Sequence, residues 1–141
     1  MLSVTKIFRF EAAHALSDYP GQCRNIHGHS YELHVSVSSS ELKQSNMIID
    51  FKELKEVVQT SVLNDFDHAL ILKNETSHST VIESLNLKVV LLEKEPTAEY
   101  LVNVFAGRIL KLLPSGIELH RIRLHETNTC YVDWTPDIKN F

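Results

Sequence analysis

Two stretches of strict alternation constrain this chain more than any other feature. From Tyr31 to Val37, apolar Tyr31, Leu33, Val35 and Val37 interleave with polar Glu32, His34 and Ser36, which describes a strand buried on one face. Leu2 to Ala13 follows the same rule, with Val4, Phe8, Phe10 and Ala12 on one side and Ser3, Thr5, Arg9 and Glu11 on the other. Strands with one apolar face need a cover, and two amphipathic segments supply it. Asp50 is placed to cap a helix in which Phe51, Leu54, Val58 and Val62 recur at three- and four-residue steps. Pro96 and Thr97 open another, with Leu101, Val104, Phe105, Ile109 and Leu112 on one stripe and Pro114 to Gly116 ending it.

The rest of the chain fits between these elements. Asp18 to Asn25, with Pro20 and Gly21, reads as a loop; Lys73 to Leu87 predicts a short helix inside a longer loop; Lys88 to Leu92 predicts a short strand. A last strand region, Ile117 to Trp134, sets Ile122 and Leu124 against Arg121, Arg123 and His125. The expectation is an α+β fold, an antiparallel sheet with helices on one face. Its 141 residues suffice for one core, so a single domain over 1–141 is expected. Fourteen basic against eighteen acidic residues leave a charge of −4, which offers no basic footprint to nucleic acid. Apolar runs such as Val89 to Leu92 are too short to span a bilayer, and two cysteines are too few for a disulfide scaffold. With no signal peptide in view, a cytoplasmic protein is expected. Histidine is the abnormal component: there are eight.

The chemistry concentrates in Cys23-Arg24-Asn25-Ile26-His27-Gly28-His29. His27 and His29 are two apart at the entry to a strand, so their imidazoles face the same side. That is half of a zinc site, and His14, which continues the Phe10 and Ala12 face of the first strand, is the best third ligand. Three imidazoles would leave an open position, the mark of a catalytic rather than a structural ion. Cys23 can complete the shell, act as a base beside it, or be a small buried residue. Asp67-His68 can form a relay in which the acid fixes the ring tautomer, or a capping Asp next to a surface His. Glu126 falls on the buried face of the last strand region, where a carboxylate needs a partner. The adjacent N–H donors of a heterocycle would satisfy it, and so would an ion pair with Arg24 or Arg108.

Cys23-x-x-x-His27-Gly28-His29, Phe10-Glu11-Ala12-Ala13-His14, Asp67-His68, Pro96-Thr97-Ala98-Glu99 and Glu126-Thr127 together resemble the 6-pyruvoyl-tetrahydropterin synthase family. That family includes a bacterial branch of 6-carboxy-tetrahydropterin synthases. The resemblance runs in order from Phe8 to Trp134. It implies a tunnelling fold, in which subunits join sheets into a barrel and assemble as a homohexamer of two trimers, with active sites at subunit interfaces. It further implies a zinc-dependent lyase acting on a pterin, 7,8-dihydroneopterin triphosphate. His14, His27 and His29 would hold Zn2+, Cys23 would be the base, and His68, oriented by Asp67, would relay protons. Glu126 would anchor the pterin ring and share the proton network, with Thr97 and Thr127 also contacting substrate.

Within the family, retention of Cys23 sets the chain apart from branches that carry a glutamate there and cleave the side chain differently. The short chain and the closing Tyr131-Val132-Asp133-Trp134 favour the carboxy product, released with acetaldehyde and triphosphate. The alternatives are a 6-pyruvoyl product, a pterin-binding module without turnover, and a structural zinc protein closed by Cys23. No glycine-rich phosphate loop marks the triphosphate pocket. The Lys73 to Glu95 segment looks longer than in compact bacterial relatives. Cys130 reads as a packed strand thiol. His34, His78, His120 and His125 match no family role, and His34 and His120 are expected to be solvated.

Overall fold

The two alternating segments pair with each other. In the computed structural model, which describes residues 1–137, β1 (Ser3–His14) and β2 (His27–Ser38) run antiparallel in continuous register from Ser3 opposite Ser38 to His14 opposite His27. The last four residues of the expected 1–141 domain lie outside the described residues. β5 (Glu118–Thr127) adds to β2 and β6 (Cys130–Trp134) to β5, both antiparallel.

The other side of β1 corrects the expectation of an all-antiparallel sheet. β3 (Ala69–Lys73), a five-residue strand that no alternation announces, pairs with β1 in parallel, and β4 (Val89–Leu92) pairs in parallel with β3. Parallel neighbours need crossover connections of a dozen or more residues. β1 reaches β3 through β2 and the segment carrying α1 (Phe51–Val58), and β3 reaches β4 through the segment carrying α3 (Ser77–Ile82). The sheet order is therefore β4-β3-β1-β2-β5-β6.

Helices cover one face. Asp50 caps α1 as expected, its carboxylate accepting from the Lys52 amide at 2.8 Å. Phe51 departs from the expected stripe and is 51% exposed, because Ile48 and Ile49 just upstream fill that part of the core. The buried Leu54, Val58, Val62 and Phe66 follow at four-residue steps. In a regular α-helix twelve residues turn about 1200°, which would leave Phe66 about 120° off the face of Leu54. A π-helical turn over Gln59–Leu63 turns less per residue and brings it back, before a last turn, α2 (Asn64–Phe66).

In α4 (Ala98–Leu110), the Thr97 hydroxyl accepts from the Tyr100 amide at 3.2 Å, and Leu101, Phe105 and Ile109 are fully buried. Leu112, expected on that stripe, lies beyond the helix end and is exposed. Phe10 stacks on Tyr31 at 4.9 Å and meets Phe105 edge-on at 6.0 Å, which ties sheet to helix. Burial of each such side chain stabilises by roughly 1.5–3 kcal/mol. Among the described residues no helix is long and apolar enough to cross a membrane.

Candidate metal and catalytic centre

The register that pairs His14 with His27 places them at one end of the helix-covered face. His14 is buried and the imidazoles of His14, His27 and His29 meet edge to face, with ring centres 4.7–5.0 Å apart. Two backbone carbonyls fix the rings. His14 Nδ1 lies 2.8 Å from the Pro96 carbonyl oxygen, and His27 Nδ1 lies 2.7 Å from that of Asn25. A carbonyl only accepts, so each Nδ1 carries the proton and each Nε2 presents a lone pair.

Those two lone pairs face each other, Nε2 to Nε2, at 3.1 Å. Between neutral rings no proton is available to be shared there, and a cation between them would relieve the contact. Glu126 joins the cluster from β5, its Oε1 lying 3.3 Å from His14 Nε2 and 3.4 Å from His29 Nε2. The facing nitrogens of His14 and His27, at 3.1 Å, stand close to the roughly 3.3–3.4 Å that separates ligand atoms lying about 2.0–2.1 Å from one tetrahedral ion, and Glu126 supplies negative charge beside them. The donors present therefore fit a divalent metal. Burial lowers the pKa of His14 and of His29 below the ordinary histidine value, more than nearby Glu126 raises it, which favours the neutral ligand form. Tyr31 forms the floor; burial, and then the charge of Glu126, pushes its hydroxyl well above its usual value and keeps it protonated.

The surrounding loops lock this geometry. Ser17, just past β1, donates through its amide (3.0 Å) and its hydroxyl to the Glu95 carboxylate, holding the segment that presents the Pro96 carbonyl. Cys23 sits in a single 3-10 turn, Gln22–Arg24, and its carbonyl accepts from the Leu16 amide at 2.8 Å. Its thiol is free and half-buried. Together His14, Cys23, His27, His29, Thr97 and Glu126 line one cavity of about 300 Å³. Six of the nine expected site residues thus converge.

Asp67, His68 and Thr127 do not. Asp67 Oδ1 accepts from His68 Nδ1 at 2.9 Å and from the Glu11 amide at 3.0 Å. Neighbouring side chains usually diverge; this pair meets because His68 takes a left-handed backbone, φ 60°, which folds its ring back over Asp67. The carboxylate leaves His68 Nε2 free, but the ring is 76% exposed and lines a different cavity, of about 470 Å³, with Glu11, Ala13, Gly28, Ser30 and Lys88. The Thr127 hydroxyl accepts from the Thr129 and Cys130 amides and closes the β5–β6 turn.

Two expectations are corrected. Glu126 makes no ion pair with Arg24 or Arg108; its partners are histidines, and Arg108 pairs with Asp65. Cys130 is an exposed thiol on the rim of the cavity that holds Cys23, because the tight turn at Thr127 lifts it clear of the core. The carbonyls of Pro96 and Asn25 leave no trace in side-chain identity, so nothing in the sequence could reveal them.

Comparison with known proteins gives the same picture. The sequence profile of the family described as 6-pyruvoyl tetrahydropterin synthase matches residues 3–137. The 6-carboxy-5,6,7,8-tetrahydropterin synthase of Haemophilus influenzae is 32% identical over 141 residues, covering 95% of this chain and 99% of that protein. Its Synechocystis namesake is 34% identical over 134 residues, covering 92% and 89%. Among solved structures, an uncharacterized Wolinella succinogenes protein superposes with a TM-score of 0.78 at 17% identity, covering 96% of this chain and 98% of that one. Caenorhabditis elegans 6-pyruvoyl tetrahydropterin synthase gives 0.71 at 20% identity, covering 96% of each chain. At these identities the likeness speaks for the fold alone, an α+β tunnelling-type half-barrel with helices on one face.

Proposed function

The chain belongs to the 6-pyruvoyl tetrahydropterin synthase family, and from that premise we propose that it is a zinc-dependent 6-carboxy-5,6,7,8-tetrahydropterin synthase. In this reading it converts 7,8-dihydroneopterin triphosphate and one water to 6-carboxy-tetrahydropterin, acetaldehyde and triphosphate. The observation that carries it is the convergence of His14, His27 and His29 on one point, with Glu126 beside two of them and Cys23 lining the same cavity. Relatives that carry that name match nearly the whole chain.

His14, His27 and His29 would hold the zinc, which would serve as a Lewis acid toward the side-chain hydroxyls of the substrate and acidify the attached carbon. Cys23, as its thiolate, would be the group that takes the proton from that carbon. A thiol would be superfluous in a pure binding module, and the half-buried Cys23 in the lining of the cavity supports its reading as the base. Glu126 holds the pterin by the adjacent N–H groups of its ring, in the paired manner of a carboxylate meeting a guanidinium.

His68, its Nδ1 proton held by Asp67, keeps Nε2 free to relay protons, yet it lines a separate cavity of its own chain. A second copy is the simplest source of the relay beside Cys23. β4 and β6 each end the sheet with one unpaired edge among the described residues, which suits sheets joining into a barrel and a hexamer of two trimers.

Product mass spectrometry on the zinc-loaded protein supplied with 7,8-dihydroneopterin triphosphate tests this. The expected products are 6-carboxy-tetrahydropterin and acetaldehyde. A 6-pyruvoyl product would replace this reading with the other branch of the family, and no turnover by zinc-loaded protein would leave a binding module.

A further inference from the structure

The strands that build the first centre carry a second convergence on their opposite face. Alternation sends Tyr31, Leu33 and Val35 into the core, so Glu32 and His34 project from the helix-free face of β2. On β5 the partner of Glu32 is His125, and the partner of His34 is Arg123. His125 therefore stands directly across from Glu32 and diagonal to His34, both within side-chain reach.

The three side chains meet. His34 Nε2 lies 2.7 Å from Glu32 Oε1, the rings of His34 and His125 are 5.3 Å apart, and one donor atom from each of the three lies within 4.8 Å of the others. Ordinary surface ion pairing accounts for Glu32 and His34 but not for His125. Among the described residues no hydrogen bond reaches the His125 ring, so both of its nitrogens are unengaged.

Each member is also held in place. Arg9 takes the other carboxylate oxygen of Glu32, at 3.3 Å, so Oε1 faces the cluster, where it meets His34 Nε2 in a hydrogen bond whose proton an ion would displace. His125 packs on Tyr131 at 4.8 Å, and the Arg123 guanidinium lies 4.0 Å over that ring, bound in turn to both oxygens of Asp133 at 2.7 and 2.8 Å. Glu32 and His125 open on a cavity of about 230 Å³, which gives an ion a way in and a free coordination position.

We propose that Glu32, His34 and His125 form a second site, separate from the His14 centre, for a divalent cation of the zinc class. Two imidazoles and one carboxylate with an open position is a donor set that such ions accept. Arg9 lends its positive charge to the neighbourhood, so this site binds more weakly than the first, by tenfold or more. The proposal stands apart from the reading of the reaction, since it uses none of the residues assigned to it.

The test is zinc stoichiometry on the full chain, stripped by chelator and titrated against a chromogenic competitor, with metal content confirmed by elemental analysis. Wild type should take two ions per chain with affinities at least tenfold apart. His125→Asn should take one, at the affinity of the stronger wild-type site, and His34→Asn should do the same should the first variant not fold. In the cobalt-loaded protein the visible absorption of one of two centres should disappear with either change. One ion per chain in wild type would overturn the proposal. So would two ions of unchanged affinity in a folded His125→Asn or His34→Asn protein, which would place the second ion elsewhere.

Discussion

The assignment of Cys23 rests on a single atom in a crowded place. It shares a cavity with three imidazoles, so it could serve as ligand or as base, and truncation separates the two roles. Cys23→Ala should lower turnover by about 10²–10⁴-fold, the usual contribution of a general base, with zinc content unchanged. Loss of metal in the variant, read by elemental analysis, would make the thiol a ligand instead. At this scale the sequence was legible where chemistry depends on side-chain type and parity. His27 and His29 two apart on an alternating strand, with His14 on the matching face of its partner, is a statement about direction, and direction survives folding. What stayed hidden depends on backbone: which nitrogen of His14 and His27 is protonated is decided by the carbonyls of Pro96 and Asn25. The Asp67–His68 contact depends on a positive φ that no residue type there demands. His34 and His125, which match no family role in the sequence, gained significance only once register set them beside Glu32.

Elements were legible in proportion to their periodicity. β1, β2 and α4 are one-faced and announce themselves; β3 is buried among neighbours and shows no alternation, so its parallel pairing could not be read. The regular four-residue steps of Leu54, Val58, Val62 and Phe66 look like an ordinary helix, although they fit one face only with the wide turn at Gln59–Leu63. The start of α4 joins element to site, since the Thr97 cap steadies the turn that follows the Pro96 carbonyl. Thr97→Ala should cost about 1 kcal/mol and lower the melting temperature of the metal-free protein by about 3 °C. Thr97→Ser should restore it. Calorimetry showing no difference between Thr97→Ala and wild type would deprive the hydroxyl of its capping role and leave only substrate contact.

For the whole molecule, the separation of His68 from Cys23 has a direct consequence. If the working centre combines the thiol of one copy with the relay of another, Cys23→Ala and His68→Ala proteins should each be inactive alone. Co-expressed, they should recover a substantial fraction of the wild-type rate, because some interfaces then hold both intact groups. Activity no greater than the sum of the separate variants would confine each centre to one chain. The converging donors have a further effect on the life of the polypeptide. Residues 14, 27 and 29 come from two strands, and two of the rings are set by loops that precede β2 and α4. A slip of one residue between β1 and β2 would turn His14 away from its partners. An ion held there would be captured only when all of these segments agree, and would act as a proofreader of the chain's own assembly. Its supply would then decide how many newly made copies escape the proteases that clear unfinished ones.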